Sequence, residues 1–528
     1  MIRYWCLRIY DVHSVDIELK ILKGNLYLQK VKFMKINELL FRNRNNDSIA
    51  IQQGERSLSY RDWYCKSEYI ASLVNNAVDK QSKCIGLFIP NSIEYAISYF
   101  SILFSERVII PIGTNSKPIE IISMLRYLEI DLIITSSSSQ SYLIDALESY
   151  DKKITIIVCD TSEITVINEN LNLIDKSDCL IQNNTDDDVV IMLHTSGTTS
   201  NPKRVMLTHT NLITNVESNI ASLELTSTDV VLIALPMHFG YCNTAQFLTQ
   251  VYLGGKIVIL DSKMFLPKIF FQTVEKEKVS LFTGVPSMLF MLYSYNFVDN
   301  YDYSTLRYIL FGGGKMPIEK LKLLIDRFST VSFLQTYGQT ECSPRVTLLS
   351  SKYYKSKIGS VGKEIPNVKV RIVNDKDEAL AANQIGEIIV SGKNVMKGYY
   401  KNPELTNKVI RDGWLHTGDL GYKDEEGFLY LTGRIKNIII SGGINIYPEE
   451  VEQILLQHES VVDCYVYGIE DDLLGEIPVA KVVLKDEIQT GILREYCSKY
   501  LTKYKIPINF EVVDALEKTY NGKIKRYK

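Results

Sequence analysis

The length, composition and charge of the chain bound its class. It has 528 residues, of which 46% are hydrophobic and 23% charged, and this is enough for a substantial core and at least two domains. The formal net charge of -3 gives no electrostatic reason to expect nucleic acid or an anionic membrane as a partner. The nine cysteines stand singly, without a CxxC pair, which argues against structural zinc or a disulfide framework and for a reducing compartment.

The beginning of the chain does not resemble a targeting segment. Charges interrupt residues 1–20 before a signal-type apolar core can develop, and no apolar run reaches the roughly 18 to 20 residues that cross a bilayer. We therefore expect a soluble, cytoplasmic protein. Met34 opens a segment, MKINELLFRN, with the apolar spacing of a helix at a domain start. Residues 1–33 are predicted to be an extension outside the fold, and their deletion is expected to leave activity intact.

Strand-like and helix-like patterns alternate in the first part of the chain. The predicted strands are Cys84–Ile89, Val108–Ile112, Leu132–Thr135 and Ile154–Cys159. The predicted helices are Ile93–Phe104 and Ile119–Leu128. This alternation favours a parallel sheet covered by helices. A polar stretch, Gln182–Asp188, separates this block from the next.

Three further textures follow along the chain. A second α/β block has predicted strands at Val230–Leu235, Lys256–Leu260 and Leu306–Phe311. Short strands with Gly and Asn/Asp turns over Val361–Gly392 predict a small β subdomain, and the C-terminal region has a predicted helix at Pro448–Gln457 and strands at Val461–Val466 and Val479–Leu484. The predicted fold class is α/β: a large N-terminal domain of two α/β sheets and a small β subdomain, then a small α+β C-terminal domain.

The most informative segment lies between the two α/β blocks. Val189–Leu193 is typical of a buried strand, and the nine residues that begin at Thr195 and end at Lys203 supply five hydroxyls, a glycine, a proline and a lysine. Such a cluster alone is typical of a solvent loop, but this one leaves the end of a sheet strand, where nucleotides tend to bind. The Walker pattern GxxxxGK[ST] is absent. The segment therefore indicates a loop that binds the polyphosphate of ATP, in a fold family other than the Walker-type NTPases.

Four more clusters carry groups that suit a nucleotide. In QTYGQTE, Thr340 and Glu341 stand side by side, and a hydroxyl beside a carboxylate can hold a phosphate oxygen and its magnesium ion. In LHTGDL, Asp419 follows a glycine turn and could accept from ribose hydroxyls. Arg434 and Lys436 precede a strand-like run and a glycine pair, and NGKIKR lies at the C-terminus. Taken singly, each of these clusters is also typical of an ordinary turn or a solvated end.

Together, in this order and at this spacing, the five clusters resemble the adenylate-forming superfamily of acyl-coenzyme A synthetases, aryl-acid ligases, firefly-type luciferases and carrier-loading adenylation domains. The resemblance covers about residues 34–528. It implies an N-terminal domain at 34–434, a hinge at Lys436 and a small mobile C-terminal domain at 437–528, with the active site between the two domains.

The resemblance also implies roles for individual residues. The phosphate loop is matched by Thr195, Ser196, Gly197, Thr198, Thr199 and Lys203. The strip that packs against adenine and the acid is matched by Gly312, Gly313 and Gly314, and further nucleotide-binding residues are Gln335, Thr336 and Tyr337. Thr340 matches the α-phosphate contact and Glu341 the magnesium ligand; Asp419 and Arg434 match the ribose contacts. Lys523 matches the lysine that completes adenylation, Lys436 the hinge, and Gly442 and Gly443 the wall of the pantetheine tunnel.

The reaction that the resemblance implies needs ATP, Mg²⁺ and a thiol. A carboxylic acid is activated to an acyl-adenylate with release of pyrophosphate, and the acyl group is then transferred to a phosphopantetheine thiol. The segment ISGGINIYPEEVE is similar to that of free-standing coenzyme A ligases, which favours coenzyme A as the acceptor. A stand-alone enzyme that loads an acyl or aryl carrier protein is an alternative. A nucleotide-binding regulatory protein without catalysis is another, against which Glu341, Asp419, Arg434 and Lys523 argue. We expect the carboxylic acid as partner, with a carrier protein as the alternative acceptor, no nucleic acid and no membrane, and a monomer or homodimer.

The segment LPMHFGYCNTAQF bears on the acid. Family members that take amino acids usually place an Asp here for the α-ammonium group, and no acidic residue is present, so we predict an aryl or acyl acid without an α-amine. His238 and Asn243 match the pattern LPMFHxxxxN with one residue deleted. His238 is a candidate for the carboxylate site, with a packed or solvated His as the alternative. Ser200 and Arg204 stand where the family usually has glycine, and Arg204 either adds a phosphate contact or points to solvent.

Overall fold

The computed structural model describes residues 34–79, 82–150, 152, 154–161, 188–194, 203–262, 264–314, 316–442, 444–471, 473–517 and 524, and the backbone of 8–9, 17–22, 25–30 and 165–167. Strands β1 (Arg8–Ile9), β2 (Ile17–Leu22) and β3 (Asn25–Lys30) form a three-stranded sheet of their own. Within the described residues, no helix combines the length and the apolar character that a membrane crossing requires.

The first α/β block contains short buried strands between amphipathic helices. Its elements are α1 (Ile36–Arg42), β4 (Ile49–Gln53), β5 (Arg56–Ser59), α2 (Tyr60–Ala77), β6 (Cys84–Phe88), α3 (Ile93–Phe104), β7 (Val108–Pro111), α4 (Pro118–Leu128), β8 (Leu132–Thr135), α5 (Ser137–Leu147), β9 (Thr155–Val158), β10 (Thr165–Ile167), β11 (Val189–His194) and β12 (Arg204–Thr208).

The second block follows the same alternation up to an antiparallel edge. Its elements are α6 (His209–Leu223), β13 (Val230–Ile233), α7 (Gly240–Cys242), a π-helical turn at Asn243–Leu248, α8 (Thr249–Leu253), β14 (Lys256–Ile259), α9 (Pro267–Glu277), β15 (Leu281–Gly284), α10 (Pro286–Tyr293), β16 (Tyr308–Phe311), α11 (Ile318–Arg327), β17 (Ser332–Gly338), β18 (Arg345–Leu348) and β19 (Lys363–Glu364). Short 3-10 turns lie at Val298–Asn300 and Thr340–Cys342.

The β subdomain and the C-terminal domain complete the chain. Their elements are β20 (Val368–Val373), β21 (Gly386–Gly392), β22 (Gly398–Tyr399), α12 (Pro403–Val409), β23 (Ile410–Arg411), β24 (Trp414–Lys423), β25 (Leu429–Arg434), β26 (Ile439–Ser441), β27 (Ile444–Ile446), α13 (Pro448–Leu455), β28 (Val461–Asp471), β29 (Gly475–Leu484), α14 (Thr490–Tyr500) and β30 (Phe510–Val512). Two further 3-10 turns lie at Ile435–Asn437 and Lys503–Lys505.

Two large sheets form the body of the N-terminal domain. One has eight strands in the order β10-β9-β8-β6-β7-β11-β12-β22, and the other has nine in the order β19-β18-β17-β16-β15-β13-β14-β4-β5. Their centres are parallel, as in the pairs β6·β8 and β15·β16, and their edges are antiparallel. The predicted α/β class with a large N-terminal and a small C-terminal domain is therefore confirmed.

The core explains why these elements pack as they do. Trp63 of α2 is fully buried and contacts Phe100 of α3 and Phe247 of the π-helical turn, with ring centroids 5.3 and 5.8 Å away. Large aromatic rings bury more surface than smaller side chains and therefore dominate the packing energy of a core. The C-terminal domain has a separate apolar core that extends from Ile439 to Phe510.

The elements differ from the predictions mainly at their ends. The β sheet that Val361–Gly392 predicts continues through β24 and β25, because the alternating strands after Gly392 pair antiparallel with β21. The predicted strand Val461–Val466 extends to Asp471, because its outer half pairs with β29 as an exposed hairpin whose side chains alternate less strictly. The helix predicted at Pro448–Gln457 ends at Leu455.

Candidate active site

A buried carboxylate lies where the β subdomain meets the nine-stranded sheet. Asp419 on β24 stands opposite Arg434 on β25 in the strand register, and Arg434 Nε lies 2.7 Å from Asp419 Oδ1. Tyr337, at the end of β17, donates its hydroxyl to Asp419 Oδ2 over 2.8 Å. Asp419 raises the pKa of the Arg434 guanidinium, while burial and the nearby Asp419 hold the pKa of the Tyr337 phenol well above its usual value. Asp419 is thus held by two donors, with lone pairs left on both oxygens.

A second carboxylate, Glu341, is held by an aromatic residue that the sequence analysis did not single out. The Tyr399 hydroxyl donates to Glu341 Oε1 over 2.8 Å. Burial raises the pKa of that phenol, so the hydroxyl stays a donor. Lys203 Nζ lies 5.3 Å from the centroid of the same ring, within the range of a cation–π contact. One ring therefore contacts both the cation at the end of the predicted phosphate loop and the predicted magnesium ligand.

The glycine strip lies against Thr336 and Tyr241. A Cβ on Gly312 would stand 2.7 Å from Thr336 Oγ1 and 3.4 Å from the Tyr241 hydroxyl, so only glycine fits there without a shift. Gly313 has φ +75°, which side chains rarely adopt. The Tyr241 hydroxyl lies 2.8 Å from Thr336 Oγ1.

The start of α7 brings three separated chain segments together. A Cβ on Gly240 would lie 3.0 Å from Leu193 Cδ1, 3.9 Å from Thr340 Cγ2 and 4.0 Å from Pro344 Cβ. Leu193 is the last residue but one of the strand before the predicted phosphate loop, and Thr340 begins the 3-10 turn that carries Glu341. The end of β11 and the start of the 3-10 turn with Thr340 and Glu341 therefore lie close together around Gly240.

His238 is a buried neutral imidazole. Burial lowers the pKa of His238 to about 4, and its Nε2 has no hydrogen-bond partner among the described residues. A Cβ on Gly113 would lie 3.2 Å from that nitrogen, so the glycine leaves space beside it. Asn243, the other residue matched in this segment, accepts from the Tyr99 hydroxyl over 3.2 Å. His238 is packed rather than solvated, and its place in the carboxylate site stays a prediction.

Arg204 does not point to solvent. Only 3% of it is exposed, and its Nη1 contacts Nδ1 of His194 across the paired strands β11 and β12. Burial, and then the positive charge of Arg204, lower the pKa of His194 to about 4. The solvent-exposed alternative for Arg204 is therefore wrong, because the antiparallel pairing of its strand turns the side chain inward.

The hinge candidate, Lys436, lies in the one-turn 3-10 helix between the domains. Asn437 Nδ2 donates to Glu449 Oε1 over 2.9 Å. Gly442 has φ +56°, and its amide donates to the Leu474 carbonyl over 2.7 Å. The other predicted site residues, Thr195, Ser196, Gly197, Thr198, Thr199, Gly443 and Lys523, lie outside the described residues, as does Ser200.

The described acidic residues fit magnesium bound by one carboxylate. No group of three or more His, Cys, Asp or Glu side chains in the described part of the chain could hold a metal ion by itself. Mg²⁺ bound beside a nucleotide commonly takes only one or two carboxylates and completes its shell with water and phosphate oxygens. Glu341, with Oε1 bonded to Tyr399, leaves Oε2 for such an ion.

The sequence analysis missed Tyr399, which contacts Glu341, and Arg345, which is buried beside Tyr241. Tyr399 follows Gly398 in β22, which pairs with β12 directly after the predicted phosphate loop. Its pairing partner is separated from it by almost two hundred residues, so no local pattern indicates the contact. Arg345 follows the QTYGQTE cluster closely, but an arginine is normally exposed, and its burial is visible only in the structure.

The chain is similar to known proteins over most of its length. A match to AMP-binding enzymes covers residues 41–400, and a match to the AMP-binding enzyme C-terminal domain covers residues 450–523. The long-chain-fatty-acid–CoA ligase of Bacillus subtilis is 32% identical over 513 residues, 91% of each chain. The 2-succinylbenzoate–CoA ligase of Bacillus cytotoxicus is 31% identical over 489 residues, 91% of this chain and 95% of that one.

A solved structure agrees with these matches. O-succinylbenzoate coenzyme A synthetase of Bacillus subtilis, in complex with ATP and magnesium ion, has a TM-score of 0.80 and 29% identity to this chain, and it covers 92% of this chain and 98% of its own. The relatives share a class of reaction but are named for different acids. The chain therefore belongs to the AMP-binding enzyme family of the adenylate-forming superfamily, as an AMP-forming acid–thiol ligase.

Proposed function

We propose that the chain activates an aryl or acyl carboxylic acid without an α-amine as its acyl-adenylate, and transfers the acyl group to coenzyme A. The observation that carries the proposal is the pair of held carboxylates. Asp419 is fixed by Arg434 and Tyr337, and Glu341 is fixed by Tyr399. This arrangement suits a nucleotide whose ribose and phosphates each meet one carboxylate.

The first half-reaction must overcome repulsion between two anions. A carboxylate oxygen bonds to the α-phosphorus of ATP, the bond from that phosphorus to the bridging oxygen breaks, and pyrophosphate leaves with the electron pair. Magnesium, when bound, neutralises phosphate charge. We assign the α-phosphate contact to Thr340 and the β- and γ-phosphates to the loop that ends at Lys203. Lys523 is assigned to the charge that develops on the reacting oxygens.

Ribose recognition is assigned to Asp419. Its two oxygens already accept from Arg434 Nε and from the Tyr337 hydroxyl, and each retains a lone pair for a ribose hydroxyl. Because the carboxylate is held before the nucleotide arrives, little side-chain entropy is lost on binding. Arg434 also balances the negative charge of Asp419, so that Asp419 repels the nucleotide phosphates less.

The second half-reaction needs other groups around the same carbonyl. We propose that the C-terminal domain, residues 437–528, turns about Lys436 relative to residues 34–434. The turn withdraws Lys523 and presents Gly442 and Gly443 to the thiol. The short 3-10 turn of Ile435–Asn437 and the separate core of the C-terminal domain support a hinge at this point.

The experiment that tests the proposal is ATP–pyrophosphate exchange with a panel of acids, on the purified full chain. Exchange with aryl or fatty acids and none with α-amino acids is the expected result. Exchange with amino acids alone, or with no acid, would contradict the proposal. The positive acid is then supplied with free coenzyme A and with holo carrier proteins. Faster AMP release with coenzyme A is expected; a response to carrier protein only would assign the other acceptor. Light scattering on the same sample distinguishes the monomer from the homodimer.

A further inference from the structure

Arg345 is a buried cation without a counter-charge. It is the first residue of β18, and only 2% of it is exposed. Arg434 in the nucleotide site pairs with Asp419, whereas Arg345 forms no ion pair with any described acidic residue. Burial lowers the pKa of its guanidinium, which expresses the cost of removing the charge from water. Buried charges in proteins are normally paired, so a missing partner needs an explanation.

The Tyr241 hydroxyl is near the guanidinium and offsets part of the effect of burial on its pKa, but one edge of the guanidinium, the open edge, forms no hydrogen bond with any described residue. Nη1 donates to Asn219 Oδ1, while Nε and Nη2 have no hydrogen-bond partner among the described residues. Nε and Nη2 carry the parallel N–H bonds of one edge, which is the geometry that binds both oxygens of a carboxylate. Asn219 is itself fixed, because its Nδ2 donates to the Ala245 carbonyl and to Thr249 Oγ1, each over 3.0 Å. The open edge therefore has a set orientation.

The open edge belongs to the acid side of the site. The guanidinium carbon of Arg345 lies 5.9 Å from the centroid of the Tyr241 ring. The Tyr241 hydroxyl contacts Thr336 and approaches Gly312, which is the strip assigned to adenine and acid. Arg345 also stands opposite Gly338 in the register of β17 and β18. It is thus placed beside Tyr241, next to the strip assigned to adenine and acid, and is shielded from bulk water.

We propose that Arg345 recognises a second carboxylate on the acid, so that the chain prefers dicarboxylic acids over monocarboxylic acids of the same length. This inference rests on the proposed function. One carboxylate bonds to the α-phosphorus while pyrophosphate leaves, and the distal carboxylate stays unreacted against Nε and Nη2 of Arg345. The buried arginine thereby acquires its counter-charge only when a dicarboxylic acid is bound. An acid without a distal carboxylate leaves the guanidinium without a counter-charge.

The test compares acids that differ only at the distal end. Pyrophosphate exchange is measured with adipate against hexanoate, sebacate against decanoate, terephthalate against 4-methylbenzoate, and 4-carboxycinnamate against 4-methylcinnamate. We expect the diacid of at least one pair to have a kcat/KM about tenfold to a hundredfold above that of its methyl analogue, the range that charge-assisted hydrogen bonds supply. Ratios near one, or in favour of the methyl acid, in every activated pair would overturn the inference.

Variants assign the preference to Arg345. Arg345→Met should lower the ratio at least tenfold by weakening the diacid alone, and Arg345→Lys, which keeps the charge but loses the fork, should lower it less. Arg56→Met is the matched control, because Arg56 is an exposed arginine paired with Glu94, and it should leave the ratio unchanged. An equal loss for diacid and methyl acid in Arg345→Met would contradict distal recognition.

Two further outcomes remain distinguishable. If Arg345→Met does not fold, the wild-type ratios and Arg345→Lys still decide. If no acid supports exchange, acid activation itself is contradicted, and titration calorimetry of the four diacids against wild type and Arg345→Lys decides on the arginine. Diacid binding that the lysine variant weakens supports the inference, and binding that it leaves unchanged, or no binding at all, overturns it.

Discussion

Replacement of Asp419 by asparagine isolates the role of one charge in nucleotide binding. In the structure, Oδ1 of Asp419 accepts from Arg434 and Oδ2 accepts from Tyr337. Asparagine has the same shape, its carbonyl can still accept from Arg434, and its amide can donate to the Tyr337 oxygen. The fold should therefore survive, while the carboxylate that we assign to the ribose hydroxyls is lost.

The expected magnitude follows from these contacts. A hydrogen bond to a charged acceptor contributes about 1.5 to 3 kcal/mol, so the loss of one such bond lowers kcat/KM for ATP about 10- to 150-fold. Asp419 is 6% exposed, so solvent screening reduces this figure little. A nucleotide that lacks one ribose hydroxyl already lacks part of the interaction with Asp419. The substitution should therefore lower kcat/KM less for that nucleotide than for ATP.

The assay is pyrophosphate exchange with ATP and with 2′-deoxy-ATP. Wild type should prefer ATP, and Asp419→Asn should bring the two nucleotides close together. Asp375→Ala, an exposed carboxylate in a turn of the same sheet, is the matched control and should behave as wild type. If Asp419→Asn kept its ATP kcat/KM within about threefold of the control, the ribose assignment would be wrong.

Glu341→Gln should raise the magnesium concentration for half-maximal exchange about tenfold, because a neutral amide binds a hard cation less well than a carboxylate; an unchanged magnesium titration would contradict the assignment. Lys523→Ala should lower adenylation by about three decades, the rate equivalent of about 4 kcal/mol for a lysine about 4 Å from the developing charge at an effective dielectric of 20, while a preformed acyl-adenylate still reacts with thiol. Lys436→Pro should slow thioester formation more than adenylation, and equal effects would argue against a hinge. Burial, and then the charge of Lys35, lower the pKa of His209 to about 4, so the folded protein keeps His209 neutral. The free energy of unfolding should therefore fall by about 3 kcal/mol as the pH falls from 6.5 to 4. Urea titrations should show a smaller fall for His209→Gln, and an equal fall in the variant and the wild type would refute this.

The periodicity of the chain predicts the interior elements well. Leu132–Thr135 is found with the predicted bounds. A short apolar run of leucine and β-branched residues between turn signals is typical of a buried strand. The end of β28 could not be placed, because its last residues are polar and are held by pairing rather than by burial. The contact of Tyr399 with Glu341 and the burial of Arg345 also escape prediction. Both depend on strands that are distant in sequence, and a tyrosine or an arginine can stand in many environments.

The origin of the three residues around Asp419 has a consequence for how the enzyme is made. Tyr337 lies on one sheet, and Asp419 and Arg434 come from β24 and β25, which are synthesised later. At 5 to 20 residues per second, the roughly one hundred residues between Tyr337 and Arg434 take about 5 to 20 s to translate. Since a ligand stabilises only a state that can bind it, ATP cannot assist the folding of the emerging sheets during synthesis. Until Arg434 has been synthesised, the emerging sheets can therefore gain stability only from their own packing.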